Sequence, residues 1–355
     1  MTRPSIKRLA VTLTFCFILI AGLISRPKPS SPAPAVPADR LQINAAGATF
    51  PYPIYSKWFD EYHKMHPDLE INYQSIGSGG GIRQLQAGTV DFGASDMPLK
   101  DDQLSQFKVK PLHFPTVLGA VVPTYNLPGL TADLKFTQKA LAGIYLGRIT
   151  RWNDPEIANA NPGVKLPGDD IVVVHRSEGS GTTFIWTDFL SKADPDWKAK
   201  VGTNASVNWP VGLGGKGNEG VSGSVEQTPD SIGYVELIYA LQNKIAFGSV
   251  QNSSKNFIKA SLPSTTAAAV GVKMPPDFRV SITNPPGKDA YPIASFTWLL
   301  IPTNPADAKK GKVLKDFLFW MLDSGQSMVE ALSYAPLPKQ VVDMEKAAIT
   351  KQVKP

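Results

Sequence analysis

Apolar strand patterns alternate with helix patterns through most of this chain, and that alternation limits what it can fold into. "LEINYQSIG" sets Leu69, Ile71 and Tyr73 on one face at period two, as a half-buried strand requires. "TVDFGAS" repeats the pattern with Val90, Phe92 and Ala94. "DDIVVVH" is a continuous apolar run, the kind a parallel strand covered on both faces needs. "PIYSKWFDEYHK" spaces Ile54, Trp58 and Tyr62 four residues apart, one face of an amphipathic helix. "KKGKVLKDFLFWMLDSGQSMVEAL" reads as one or two helices near the C-terminus. Strands alternating with helices predict an α/β fold with mostly parallel sheets. A chain of 355 residues, 43% hydrophobic and 19% charged, is long enough for two domains with sizeable cores.

The first 40 residues read differently from the body. "MTRPSIKR" is basic, and "LAVTLTFCFILIAGLI" from Leu9 to Ile24 is almost wholly apolar. A basic leader followed by an apolar run is an export signal. "SRPKPSSPAPAVPADR" then forms an extended, Pro-rich tether. No small-residue cleavage site lies close behind the apolar run, so residues 1–40 are read as an export signal or a retained membrane anchor plus tether. Arg3, Lys7, Arg8, Arg26, Lys28 and Arg40 against Asp39 give this head +5 of the chain's +6. The body is therefore close to neutral, and its composition carries no nucleic-acid footprint. The one cysteine, Cys16, also lies in the head, so the body has no disulfide or thiolate chemistry.

Three small-residue motifs stand at the entrances of helix patterns. "GATFP" (Gly47 to Pro51) precedes the Ile54–Tyr62 helix, "GSGGG" (Gly77 to Gly81) precedes "IRQLQAG", and "EGSGTTF" follows "IVVV" and precedes "TFIWTDFL". Each offers free backbone N–H groups and a hydroxyl: Thr49, Ser78, and Ser180 with Thr182. A single such turn is ordinarily only a turn with an N-cap. Three of them, two clearly following a strand, describe an anion cradle, since ligands of open α/β sheets bind beyond the carboxyl ends of strands.

Two charged residues refine that cradle. Arg176, beside the third motif, is the one strong cation in the three motifs. Asp96, in "DFGASDMPL", should project from a strand tip. A carboxylate in an anion site makes sense when the anion brings a proton of its own, because an ionised carboxylate only accepts. Hydrogen phosphate has such a proton and sulfate at neutral pH has none, so Asp96 would repel sulfate and select phosphate.

Catalytic readings fit less well. The residues around Ser180 do not make the G-x-S-x-G elbow of a hydrolase. Of the four histidines His63, His66, His113 and His175, the last precedes Arg176 on a strand and should face away from it. No carboxylate cluster completes a metal site around His63 and His66. "VGLGGKGN" (Val211 to Asn218) matches G-x-G-x-x-G and loosely a Walker loop, but it lacks the Ser/Thr after Lys216 and reads as a loop. No cofactor, no metal and no enzyme activity are expected.

"GATFPYPIYSKW", "YQSIGSGGGIRQL", "VDFGASDMPL", "GRITRWNDPEI", "HRSEGSGTTFIWTDFL", "VGLGGKGNEGVSGSV" and "SIGYVELIYA", in that order, resemble the signatures of the phosphate-binding protein of ABC-type phosphate transporters. The resemblance runs from about Gly47 to about Pro338. It implies a two-lobed periplasmic-binding-protein fold with phosphate in the interlobe cleft, exported to the periplasm or the outer face of the cytoplasmic membrane, monomeric, and delivering to membrane permease subunits. It also implies that Thr49 and Phe50 (through backbone N–H), Ser78, Asp96, Arg176, Ser180, Gly181 and Thr182 touch the anion. The family often has Asp two residues after this Arg; here the residue is Glu178, which would stand behind Arg176 and temper its charge. The expected lobes are 41–117 with 292–355, and 118–291, joined by hinge crossings near Pro115–Ala120 and Tyr291–Thr297. The alternatives are a binder of sulfate or molybdate, and a phosphate-handling hydrolase.

Overall fold

The first strand, β1 (Leu41–Gly47), lies between two parallel neighbours, β2 (Leu69–Ser75) and β3 (Phe92–Ser95). This comes from a computed structural model that describes residues 40–354, so the expected head lies outside the described residues except for Arg40. Helix α1 (Tyr52–Met65) connects β1 to β2 and begins with Pro53 in its first turn, where a missing N–H costs nothing. Its buried face is Ile54, Tyr55, Trp58, Phe59 and Tyr62, which includes every position the spacing predicts. Helix α2 (Ser78–Ala87) connects β2 to β3. It begins inside "GSGGG" rather than after it.

Strand β3 departs from the expectation. It starts at Phe92, leaving Val90 outside, and all four of its residues are buried. Phe92 packs on Phe59 of α1 with ring centroids 6.3 Å apart, while Gly93 lies under Leu85 of α2. Both faces are covered, so period-two alternation carries no inside–outside meaning here.

The centre of the sheet is antiparallel, which corrects the expectation of mostly parallel sheets. Strand β4 (Pro111–Asn126) runs for 16 residues. Its residues up to Ala120 pair antiparallel with β8 (Ala294–Pro302), and from Val121 onward they pair antiparallel with β7 (Ser231–Glu236). Beyond β7 lie β5 (Val172–Arg176) and β6 (Leu213–Gly215), parallel again. The order is β2-β1-β3-β8-β4-β7-β5-β6, with Ala246–Phe247 paired alongside β4. Two parallel blocks thus flank a pair of long antiparallel strands, β8 bordering the first block and β4 the second. The β4–β8 register shifts at Thr297/Trp298, opposite Pro115, a residue with no N–H to give to the ladder.

Helix α3 (Gly181–Ala193) follows β5, helix α4 (Gly217–Gln227) follows β6, and the short α5 (Leu237–Gln242) follows β7. Ile185, Trp186, Phe189 and Leu190 of α3 are all buried, and Trp186 stacks on Tyr234 of β7 at 5.0 Å. The C-terminal stretch forms α6 (Ala308–Leu322), two short 3-10 turns and a further helix, α7 (Lys339–Gln352), which the sequence reading did not anticipate. Among the described residues, no helix is long and apolar enough to cross a membrane.

Candidate anion-binding site

The three small-residue motifs converge. They leave the carboxyl ends of β1, β2 and β5, and the residues they carry are almost fully excluded from solvent: Thr49, Phe50, Ser78, Ser180 and Thr182 are each no more than 2% exposed. Asp96, one residue beyond β3, and Arg176, the last residue of β5, are buried as well.

After β1 the chain turns through Thr49 and Phe50. The Tyr239 hydroxyl donates to the Thr49 carbonyl at 2.6 Å, and the Tyr334 hydroxyl donates to the Phe50 carbonyl at 2.6 Å. In a trans peptide the N–H points opposite the preceding carbonyl. Anchoring Thr49 O therefore aims the Phe50 N–H the other way. Neither the Thr49 nor the Phe50 N–H meets an acceptor among the described residues.

Ser78 opens α2. Its Oγ accepts the Asp96 N–H at 3.2 Å and the Gly181 N–H at 3.0 Å. It thus joins the first parallel block to the first turn of α3. Position 181 requires glycine: a Cβ there would lie 2.5 Å from Asp96 Cβ, Asp96 Oδ2 and Ser78 Oγ. Ser180 is the N-cap of α3. Its Oγ accepts the Thr183 N–H at 3.1 Å, and its own N–H is spent on the Ala205 carbonyl at 2.8 Å. Its hydroxyl proton is what it has left to offer.

Arg176 points into the cluster. His175 turns to the opposite face, as strand alternation requires, and stacks on Trp209 at 4.8 Å. Arg176 Nη1 donates to Thr182 Oγ1 at 3.2 Å. Nε donates to Glu178 Oε1 at 3.0 Å, and Nη2 donates to the same oxygen. The expected Arg176–Glu178 pair therefore exists, but through one carboxylate oxygen rather than a two-oxygen fork. The Gly217 N–H donates to that oxygen too, at 3.0 Å, while Glu178 Oε2 is buried without a partner among the described residues. The guanidinium thus stands beside the carboxyl groups of Glu178 and Asp96, with the buried Glu236 carboxyl near Asp96. Attraction for an anion must come largely from fixed N–H and O–H dipoles.

Asp96 is the exception among these donors. The Thr297 hydroxyl donates to Oδ1 at 2.7 Å. Burial pushes its carboxyl up to about 7, opposed by the Thr297 hydrogen bond, the charge of Arg176 and Ser78. Near neutral pH the group therefore exchanges between acid and carboxylate, whereas the sequence reading took it as ionised.

The PBP superfamily domain matches residues 32–324. The phosphate-binding protein PstS of Xylella fastidiosa strain Temecula1 is 43% identical over 340 residues, covering 94% of this chain and 93% of that protein. PstS of Pasteurella multocida is 45% identical over 323 residues, covering 90% and 93%. The chain belongs to the PstS family of phosphate-binding proteins. Among solved structures, PfluDING, a high-affinity periplasmic phosphate-binding protein bound with phosphate, superposes with a TM-score of 0.71 at 22% identity. The match covers 87% of this chain and 94% of that one, and shows the shared two-lobed fold.

Sequence reasoning missed several residues of this PstS-family cluster. "VGLGGKGN" is not merely a loop. Its Leu213–Gly215 form β6, Gly217 opens α4 at φ +73°, and Asn218 is fully buried against Thr49. The signal was present as a glycine-rich strand-to-helix passage, the same signal as the other three motifs. Thr297, Tyr239 and Tyr334 carried no local signal. Glu236, at the end of β7, was also missed. Its Oε2 accepts the Ile238 N–H at 2.8 Å, and burial holds its carboxyl well above the ordinary range.

Proposed function

We propose that this chain binds inorganic phosphate as the hydrogen phosphate dianion outside the cytoplasm and hands it to the permease subunits of an ABC importer. The observation that carries this reading is Asp96: one carboxyl, with Oδ1 engaged by Thr297, set among hydroxyl, N–H and guanidinium donors. Such a set matches a tetrahedral anion that accepts at most of its oxygens and donates at one. Thr49, Phe50, Ser78 and Asp96 would hold phosphate from one lobe, and Arg176, Ser180 and Thr182 from the other, with Glu178 behind Arg176; Gly181, whose N–H is given to Ser78 Oγ, would reach the anion only by releasing that bond.

The lobes are residues 41–117 with 292–355, and 118–291. The switch of β4 from β8 to β7 between Ala120 and Val121 supports a hinge there. About eight charge-assisted hydrogen bonds at about 1.5–3 kcal/mol each far exceed the roughly −8 kcal/mol of micromolar binding, so dehydrating the anion and closing the lobes must offset most of that gain. The protein acts as a binder rather than a catalyst. Ser180 Oγ serves as a helix cap, while His63, His113 and His175 bond to backbone groups elsewhere.

Titration calorimetry on phosphate-stripped protein tests the reading. One phosphate per chain with weak sulfate binding is expected, together with a smaller radius of gyration by small-angle scattering when phosphate is added. Heat from sulfate but not phosphate would assign the site to another oxyanion. An unchanged scattering curve would remove the hinge.

A further inference from the structure

Thr49 and Thr182 share one neighbour. The Asn218 side-chain amide donates to Thr49 Oγ1 at 2.7 Å and to Thr182 Oγ1 at 3.2 Å, one N–H to each. The Asn218 backbone N–H donates to Thr49 Oγ1 as well, at 3.2 Å. A hydroxyl has two acceptor sites and one proton. On Thr49 both acceptor sites are filled by Asn218. On Thr182 one is filled by Asn218 and the other by Arg176 Nη1 at 3.2 Å. Each threonine has only its proton left to give, and neither hydroxyl proton has an acceptor among the described residues.

The amide cannot turn round. Asn218 Oδ1 accepts the Glu236 N–H at 2.9 Å, which holds the oxygen toward β7 and the NH₂ toward the two threonines. A flipped amide would set a carbonyl oxygen against Thr49 and an NH₂ against an N–H. Asn218 is fully buried, so no water can substitute for either bond cheaply.

We propose that Asn218 is a positioning residue that turns the Thr49 and Thr182 hydroxyls into obligate donors and thereby sets the cradle's preference for an anion. This rests on the phosphate reading above. The residue need not touch phosphate. It fixes in advance two hydroxyls that would otherwise be free to accept, so no reorientation is left for the moment of binding. It also ties α4 to the turn after β1, so the same amide favours the closed arrangement.

A double-mutant cycle on the full chain, read by calorimetry with inorganic phosphate, tests it. In the wild-type background Thr49→Val removes one donor and is expected to weaken phosphate by about tenfold or more. In the Asn218→Asp background the introduced carboxylate already draws the threonine proton to itself. There Thr49→Val is expected to change affinity by less than about twofold. A mere charge or folding effect of Asn218→Asp would leave the Thr49→Val factor the same in both backgrounds, and that result overturns the proposal. If Asn218→Asp does not fold, Asn218→Ser removes both amide donors without adding charge; the Thr49 hydroxyl is then free to accept as well as donate, so the Thr49→Val factor is expected to fall below its wild-type value, and an unchanged factor again overturns the proposal. Wild-type protein that fails to bind phosphate would overturn the site reading itself. Phosphate binding with an unchanged Thr49→Val factor would overturn only the role of Asn218.

Discussion

Raising the pH from 7 to 9 should weaken sulfate binding by about fiftyfold in the wild type and leave it unchanged in Asp96→Asn. Burial holds the Asp96 carboxyl at about 7 instead of 3.8. With a raised pKa, the acid form prevails below pH 7 and is lost above it. Sulfate has no proton, so it fits beside Asp96 only when the carboxyl carries one. The protonated fraction falls from about a half at pH 7 to about one part in a hundred at pH 9, roughly fivefold over the first unit and approaching tenfold, or 1.36 kcal/mol, over the second. The other route leaves Asp96 charged beside the anion. Two unit charges about 4 Å apart at an effective dielectric of about 20 repel by about 4 kcal/mol, more than two units of protonation cost. Protonation is therefore the cheaper route across this range and sets the slope. Hydrogen phosphate brings its own proton to the ionised carboxylate, so its affinity should fall far less. Competition calorimetry at pH 7, 8 and 9, at one ionic strength, reads both anions on both proteins. A flat sulfate affinity in the wild type, or an equal slope in Asp96→Asn, would show that Asp96 does not face the anion.

Arg176→Ala should weaken phosphate by about a hundredfold or more, because it removes charge-assisted donors and leaves the carboxyls of Glu178 and Asp96 without their cation. Arg176→Lys should recover part of the loss, keeping the charge but not the donors that span Glu178 and Thr182; wild-type affinity for Arg176→Ala in calorimetry would exclude it from the site. Gly81→Ala should destabilise the fold by about 1–3 kcal/mol, since its Cβ would lie 2.3 Å from the Ala46 carbonyl oxygen and 2.4 Å from Gly47 Cα. Gly223→Ala, inside α4 with nothing within 4 Å of the new Cβ, should leave stability unchanged or raise it by up to about 1 kcal/mol; denaturant melts of the two variants should move in opposite directions or by clearly unequal amounts.

What the amino-acid sequence determined by itself is the local machinery of the cradle. Helix α1, strand β5, and the passage from β5 through Ser180 into α3 are set by side chains within a few residues of one another, so hydrophobic spacing, capping and small-residue runs revealed them. The opposed facing of His175 and Arg176 follows from strand alternation alone. Glu178 could be placed near Arg176 for the same reason, being two residues away; which of its oxygens would serve the guanidinium could not. Tertiary structure decided the rest. Thr297 meets Asp96 across 201 residues of chain, and Asn218 meets Thr49 across 169, distances over which no periodicity in the sequence carries information. The antiparallel centre of the sheet follows from β4 exchanging one partner for another at Ala120/Val121, a matter of packing rather than of local pattern. The protonation of Asp96 belongs to the same class. Its ordinary acidity is a property of the side chain, and its rise to about 7 is a property of the burial that surrounding lobes impose on it, because removing water penalises the charged form.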